Sequence, residues 1–212
     1  MKFRFSRNVR ASMVLFVTLL VIFELFAYVI TTPVPTEQFL QIYVLGVNHA
    51  AVNYFPRNDS DIKIGETMVW YIGLADNMDT FELVSVRVKI ANMTISPPND
   101  EYGLESPAPV LTDFDRFLQS NETWEFRFVW DVWNATKSNG TTRILDLGIG
   151  NDTYQIADWS AKGGYNFRLI FELWTWETES NAFEFGWSTN GEPRTAWVQI
   201  WFNMTNPSPY SA

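Results

Sequence analysis

The chain has 212 residues, no cysteine and a formal net charge of −9. The lack of cysteine excludes disulfides, thiolate nucleophiles and cysteine-based zinc sites. Residues 31–212 carry about twice as many acidic as basic side chains, and such a domain is repelled by the nucleic acid backbone. We therefore predict no nucleic acid partner. Aromatic residues make up 17% of the chain, which is enough to fill a core by packing alone.

An apolar stretch from Met13 to Ile30 is long enough to cross a bilayer as a helix. Positive charge precedes it within residues 1–12, and none of the first ten residues is acidic. The positive-inside rule then predicts a basic cytoplasmic tip, a membrane helix at 13–30, and the rest of the chain outside the cell. Glu24 lies inside this helix, where a carboxylate predicts either a partner helix or a side chain that stays protonated or snorkels to the interface.

Two alternatives to a retained anchor stay open. The stretch could be a cleaved signal peptide, although it is longer than usual and has no clean small-x-small site at its end. The chain could also be a pilin-like filament subunit, because Arg10-Ala11-Ser12 before a helix with one glutamate resembles the processing region of archaeal type IV pilins. Cleavage near Ser12 would follow. Residues 31–36 contain two prolines, which favour a short extended stalk.

Residues 37–206 predict an all-β domain, followed by a tail at 207–212. Apolar and polar residues alternate with a period of two in several segments, which is typical of half-buried strands. The predicted strands are residues 39–45, 67–75, 82–90, 124–133, 165–177 and 196–204, with weaker ones at 52–55 and 142–147. About seven or eight strands favour an immunoglobulin-like β-sandwich. Long connections are expected at residues 96–118 and 134–164.

Seven acceptor sequons for N-glycosylation follow the apolar stretch, more than chance predicts for this composition. They begin at Asn58, Asn92, Asn121, Asn134, Asn139, Asn151 and Asn203. All lie on the predicted outer side, mostly at turns, so we predict a glycoprotein. Asn92 would point inward if its strand continued, so we expect either that the strand ends by residue 91 or that this site is not glycosylated.

Four tryptophans lie on the nominally outward faces of two late strands: Trp174, Trp176, Trp197 and Trp201. They could form one patch that stacks on sugar rings or binds an envelope protein, as in a carbohydrate-binding module. The alternative, which we favour, is that a long connection or the stalk folds over this face.

Several short motifs resemble archaeal proteins of domain-of-unknown-function family 1616. After the anchor and stalk come FLQIYVLG at 39–46, AVNYFP at 51–56 and IGE at 64–66, and later NETWEF at 121–126, the strand at 167–174 and the last strand at 197–202. The resemblance covers nearly all of the outer domain. It departs at the two long connections and where Phe55 separates Tyr54 from Pro56. It implies a membrane-anchored sandwich and brings no known activity or catalytic residue.

Residues for catalysis or for cofactors are scarce. His49 is the only histidine, and no nucleophile-elbow motif accompanies it, so a surface loop role is expected. Carboxylate pairs such as Glu172 with Glu177 could in principle cleave sugars, but no cleft signal supports this. We therefore predict no enzyme activity, no catalytic or metal site and no cofactor. The predicted function is a structural or interaction module at the cell membrane, with its main domain outside the cell.

Overall fold

The computed structural model describes residues 7–31, 37–156, 159–189 and 191–209. These residues fall into two compact units, divided between Glu37 and Gln38. The predicted stalk, apart from Thr31, and most of the predicted basic tip lie outside the described residues. The first unit is a helix, α1 (Arg7–Thr31). The second unit holds the thirteen strands of the described residues, which confirms an all-β sandwich preceded by one apolar helix.

The part of α1 from Ala11 to Thr31 has a mean hydropathy of 2.6 and buries no side chain in protein. At about 1.5 Å per residue it reaches about 30 Å, the thickness of a bilayer core. The hydroxyls of Thr18 and Thr31 donate to the carbonyls of Val14 and Ala27, so they need no water. Glu24 lies exposed on this helix. Length and composition therefore fit a membrane anchor.

The strands are β1 (Leu40–Leu45), β2 (Met68–Asp76), β3 (Glu82–Ala91), β4 (Val110–Leu118), β5 (Thr123–Ser138), β6 (Thr141–Ile149), β7 (Asp152–Gln155), β8 (Ser160–Lys162), β9 (Phe167–Glu177), β10 (Ala182–Phe185), β11 (Trp187–Thr189), β12 (Glu192–Arg194) and β13 (Trp197–Phe202). Sheet A has the order β1-β2-β5-β6-β7, with β8 also paired to β6. Sheet B has the order β10-β9-β3-β4, with β13 also paired to β9. All these pairs are antiparallel, and β11 pairs with β12 as a small separate hairpin.

The core lies between the two sheets and is largely aromatic. Trp70 and Phe128 of sheet A approach Phe171 of sheet B, with ring centroids 6.1 and 5.1 Å apart. Trp130 of sheet A lies 5.1 Å from Phe202 of sheet B. All five side chains are at most 1% exposed. Their burial supplies the packing that a domain without disulfides needs.

Sheet B is covered on its second face as well. Nine consecutive residues of β9, Phe167 to Thr175, are buried, although a strand with one wet face would show alternation. This second face is covered by residues 92–109, which connect β3 to β4 and are called the covering segment below. Ser106 of this segment bonds to Glu172, and Arg168 donates to the carbonyl of Ile95. The strand predicted at 165–177 as half-buried is therefore buried on both faces over residues 167–175.

The predicted connections also needed correction. Residues 96–118 end in a true strand, β4, whose polar composition hides it because it lies at the edge of sheet B. Residues 134–164 contain the end of β5, all of β6 and the short strands β7 and β8. Residues 52–55 form no strand. They belong to a loop whose backbone includes left-handed residues, which a strand excludes.

Candidate functional site

The four tryptophans do not form one exposed patch. Trp174 is 7% exposed, with the Arg87 guanidinium 3.6 Å from its ring centroid. Trp197 donates from Nε1 to Asp100 of the covering segment, at 2.6 Å. Trp176 is half-buried and packs on Phe183. Only Trp201 is exposed, at 38%. The open carbohydrate-binding face considered at these residues is therefore not formed, because residues 92–109 and β10 occupy most of it. This agrees with the favoured interpretation, in which a long connection folds over the face.

Beneath the covering segment lies a buried ion cluster centred on Lys89. Its Nζ lies 2.8 Å from Oε2 of Glu172, and it donates to Glu105 at 2.5 Å and to the Ser106 carbonyl at 2.7 Å. Lys89 and Glu172 have side chains 1% and 0% exposed, whereas Glu105 is 47% exposed. A buried charge is tolerated only when paired and hydrogen-bonded. The cluster therefore holds the covering segment on sheet B.

The same contacts decide what Glu172 can do. Its Oε1 accepts from the Ser106 amide at 2.7 Å, and its Oε2 accepts from Trp174 Nε1 at 3.2 Å as well as pairing with Lys89. Every oxygen has a partner and none reaches solvent. Glu177, the second carboxylate of the sugar-cleaving hypothesis, lies exposed at the end of β9. Because Glu172 cannot meet a substrate, this pair gives no support to a hydrolase.

The sequons fall into two groups. Five of the asparagines are exposed and one is half-buried: Asn58, Asn121, Asn134, Asn139 and Asn151 are exposed, and Asn203 is half-buried. Asn92 is different, at 8% exposed. Although β3 ends at Ala91, Asn92 Nδ2 donates to the Ser160 carbonyl at 2.7 Å, and its Oδ1 accepts from Thr94. The fold leaves no room for a sugar there, so we remove Asn92 from the predicted glycosylation sites.

A cluster of aromatic and polar side chains lies on the outer face of sheet A near the β1–β2 loop. His49 stacks on Tyr71 with ring centroids 3.7 Å apart, and its Nδ1 lies 2.5 Å from Glu125 Oε1. The ring of Tyr43 lies over Gly73, which has no side chain to displace it. Burial and the charge of Glu125 both raise the pKa of the Tyr43 hydroxyl. His49 is thus a surface residue, as expected, but one with two fixed partners.

The loop that carries His49 is held in an unusual conformation. Four residues other than glycine have positive φ within ten positions: His49, Asn53, Arg57 and Asn58. Such backbone costs energy and persists only where contacts enforce it. Those contacts include Trp70 Nε1 bonding to the Tyr54 carbonyl, and Arg57 bonding through Nε and Nη2 to Glu66, whose side chain is 2% exposed.

Next to this loop is a surface groove of 390 Å³. Its lining is mostly apolar and includes Val47, Tyr54, Phe55, Arg57, Asn58 and Val69. Val69 lies two residues before Tyr71 on β2, so the groove and the His49 cluster share the outer face of sheet A. The loop contains the AVNYFP and IGE motifs, and residues 53–56 of the first motif line the groove. The sequence indicated these motifs through the family resemblance, and residues 52–55 through a weak strand pattern.

Replacing Gly73 with alanine tests whether the Tyr43 ring packs directly on Gly73. An added Cβ would lie 2.0 Å from Tyr43 Cζ, so the ring must move. We expect a loss of about 1–3 kcal/mol in the free energy of unfolding, the usual cost of overpacking. Chemical denaturation measures it. In a Tyr43→Ala background the same substitution should cost nothing, because alanine suits a strand at least as well as glycine. An equal loss in both backgrounds would contradict the proposed contact.

A second exposed aromatic lies further along the same face. Trp133 on β5 is 56% exposed and lies against Gly148 of β6, where an added Cβ would meet the indole Nε1 at 2.4 Å. The indole bonds to Asp131, whose carboxyl pKa is raised by burial and lowered in part by this bond. Asn134 follows directly and donates from Nδ2 to Asp146 Oδ2 at 3.0 Å. Trp133 is not one of the four tryptophans singled out from the sequence, which placed it only at the end of the strand predicted at 124–133.

Comparisons with known proteins do not identify the chain. No family model matches it, so the resemblance to family 1616 stays a prediction, and no curated protein matches it. Among solved structures, it is distantly similar to the CARDB domain of a Pyrococcus furiosus protein, which was crystallised in complex with di-metal ions. The identity is 9% and the TM-score 0.34, over 78% of this chain and 86% of that one. At this level the similarity carries no argument about fold or function.

Proposed function

We propose that the chain is a single-pass, membrane-anchored glycoprotein of the cell envelope whose β-sandwich lies outside the cell and acts as a non-catalytic interaction module. One observation carries the proposal. The apolar helix has Lys2, Arg4, Arg7 and Arg10 on its N-terminal side, and all the glycosylation sequons lie on its C-terminal side. Positive charge stays in the cytoplasm, and sequons are modified on the opposite side of the membrane.

The chemistry of the sandwich supports binding over turnover. The buried carboxylates Glu66 and Glu172 are paired with Arg57 and Lys89 and hold segments in place. The outer face of sheet A instead presents aromatic rings and a groove on a rigid loop. Aromatic side chains with polar edges are typical of surfaces that bind partners. The partner class we propose is an envelope protein or glycan.

Single cysteines test the topology, since the chain has none of its own. Ser180→Cys lies at an exposed turn of the sandwich, and Ser6→Cys lies before the helix. We expect a membrane-impermeant maleimide to label Ser180→Cys on intact cells, and to label Ser6→Cys only after permeabilisation. The chain should also stay with the membrane through alkaline extraction.

The opposite labelling pattern would overturn the proposed orientation. Release by alkali, with a mature N-terminus after residue 28, would show a secreted protein. A mature N-terminus near Ser12, found by N-terminal peptide mass spectrometry, would instead support the pilin-like filament subunit.

A further inference from the structure

We propose that the glycan attached to Asn134 lies on the exposed indole ring of Trp133, so that the sugar and the tryptophan form one intramolecular contact on the outer face of sheet A. The inference rests on the proposed function, because it needs the domain to face the compartment in which sequons are modified. It concerns a modification site and the surface that receives it.

The first observation is a break in the strand. Neighbouring residues on a regular strand point to opposite faces, so Trp133 and Asn134 should be on opposite sides. The pairing of β5 with β6 shifts register between Val132 and Asn134, and again before Ala135. This bulge leaves both Trp133 and Asn134 exposed, whereas Val132 and Ala135 are buried. Bulges re-aim side chains in this way.

The second observation is the support beneath the ring. Gly148 of β6 pairs with Asp131 of β5. Because Gly148 has no side chain, the indole of Trp133 lies against its backbone. The bond to Asp131 holds the indole Nε1. The Nε1–Cδ1 edge of the indole therefore lies against the sheet, and 56% of the residue remains open to solvent. A fixed, exposed aromatic ring is the surface on which the apolar face of a sugar packs.

The third observation concerns distance and direction. Asn134 pairs with Asp146, and Trp133 lies over Gly148, two residues further along β6. Two residues of a strand span about 6.6 Å, which is close to the width of one sugar ring. The first sugar on Asn134 is thus within reach of the indole.

The amide bond to Asp146 fits this arrangement. Glycosylation forms a bond between Asn134 Nδ2 and C1 of the sugar as the bond from C1 to the phosphate of a lipid-linked oligosaccharide breaks, and the amide loses one proton. The other N–H remains and can still donate to Asp146, as it does at 3.0 Å in the structure. The carboxylate then orients the modified amide.

The test is a double-mutant cycle on the full chain purified from native membranes into detergent micelles. Thr136→Ala removes the sequon at Asn134 without changing Asn134 or its bond to Asp146, and Thr136→Ser retains the sequon as the matched control. Trp133→Ala removes the ring. Glycopeptide mass spectrometry gives occupancy, and chemical denaturation gives the folding equilibrium constant.

We expect Asn134 to be occupied, and Thr136→Ala to lower the folding equilibrium constant by about fivefold, which corresponds to about 1 kcal/mol. In the Trp133→Ala background, Thr136→Ala should have a much smaller effect. Removing the Asn139 sequon with Thr141→Ala, compared with Thr141→Ser, should give the same change in both backgrounds, because Asn139 lies at the hairpin tip.

Three results would overturn the inference, and they are distinguishable. If Asn134 is occupied and Thr136→Ala has the same effect with Trp133 as with Trp133→Ala, the glycan does not contact the indole. The proposed function is unaffected by that result. Glycans at other sequons but none at Asn134 also exclude this inference and leave the proposed function intact. An unmodified chain would overturn the inference together with the glycoprotein part of the proposed function, while cysteine labelling still decides the topology.

Discussion

Replacing Lys89 with methionine should destabilise the β-sandwich by about 3–5 kcal/mol, because it leaves Glu172 as an unpaired charge where its side chain is 0% exposed. The covering segment should loosen at the same time, since Lys89 also holds Glu105 and the Ser106 carbonyl. Chemical denaturation of the full chain in micelles measures the loss as a lower midpoint. Faster hydrogen exchange in residues 92–109 would report the loosening.

Two controls make this result specific. Lys89→Met combined with Glu172→Leu removes both charges and should recover much of the lost stability, because apolar groups can replace a buried ion pair. Arg116→Met breaks a pair with Glu122 in which Arg116 is 45% exposed, and it should cost no more than about 1 kcal/mol. Equal losses for Lys89→Met and Arg116→Met would show that water reaches the Lys89 cluster.

Trp70→Ala should cost about 3–5 kcal/mol, the range for removing a fully buried aromatic side chain. Trp70 is 0% exposed and contacts Phe55, Phe128, Trp130 and Phe171, so its loss opens a cavity between the two sheets. The indole also bonds to the Tyr54 carbonyl at 2.5 Å. The same denaturation assay applies, and the near-ultraviolet circular dichroism should weaken.

Comparison variants separate packing from the hydrogen bond. Trp70→Phe keeps most of the packing but leaves the Tyr54 carbonyl without its donor, so an intermediate loss is expected. Phe81→Ala removes a ring that is 67% exposed and should change stability little. A loss for Trp70→Ala no larger than that for Phe81→Ala would mean that the sheets do not pack around Trp70.

Alternation in the sequence was enough to find several of the long strands. The predicted strand at 82–90 became Glu82–Ala91, and the one at 67–75 became Met68–Asp76. It failed at β4, where Asp113, Asp115 and Arg116 are exposed at a sheet edge and interrupt the apolar pattern. An alternating pattern appears where one face of a strand is buried. An edge strand with polar residues on both faces shows little alternation.

The site residues were harder to predict, for a different reason. Arg168 and Glu172 alternate with apolar neighbours on β9, and such alternation is typical of a half-buried strand. Whether this face of β9 is exposed to solvent depends on where residues 92–109 fold. The partner of Glu172 is Lys89, which lies on another strand. Asn92 posed the same difficulty, because its buried bond is to Ser160. Contacts between distant parts of a chain leave no periodic signal in one sequence.

The bond from Asn92 to Ser160 has a consequence for the glycosylation that we propose. The chain emerges from its N-terminus, so the Asn92 sequon is complete long before its protecting carbonyl exists. Until β8 has been made, Asn92 is an open acceptor, and a sugar attached then would occupy the place that Ser160 must take. In a glycosylated chain, correct assembly would therefore depend on which happens first at Asn92, folding or modification. A chain that carries a glycan at Asn92 would be one in which glycosylation came before folding.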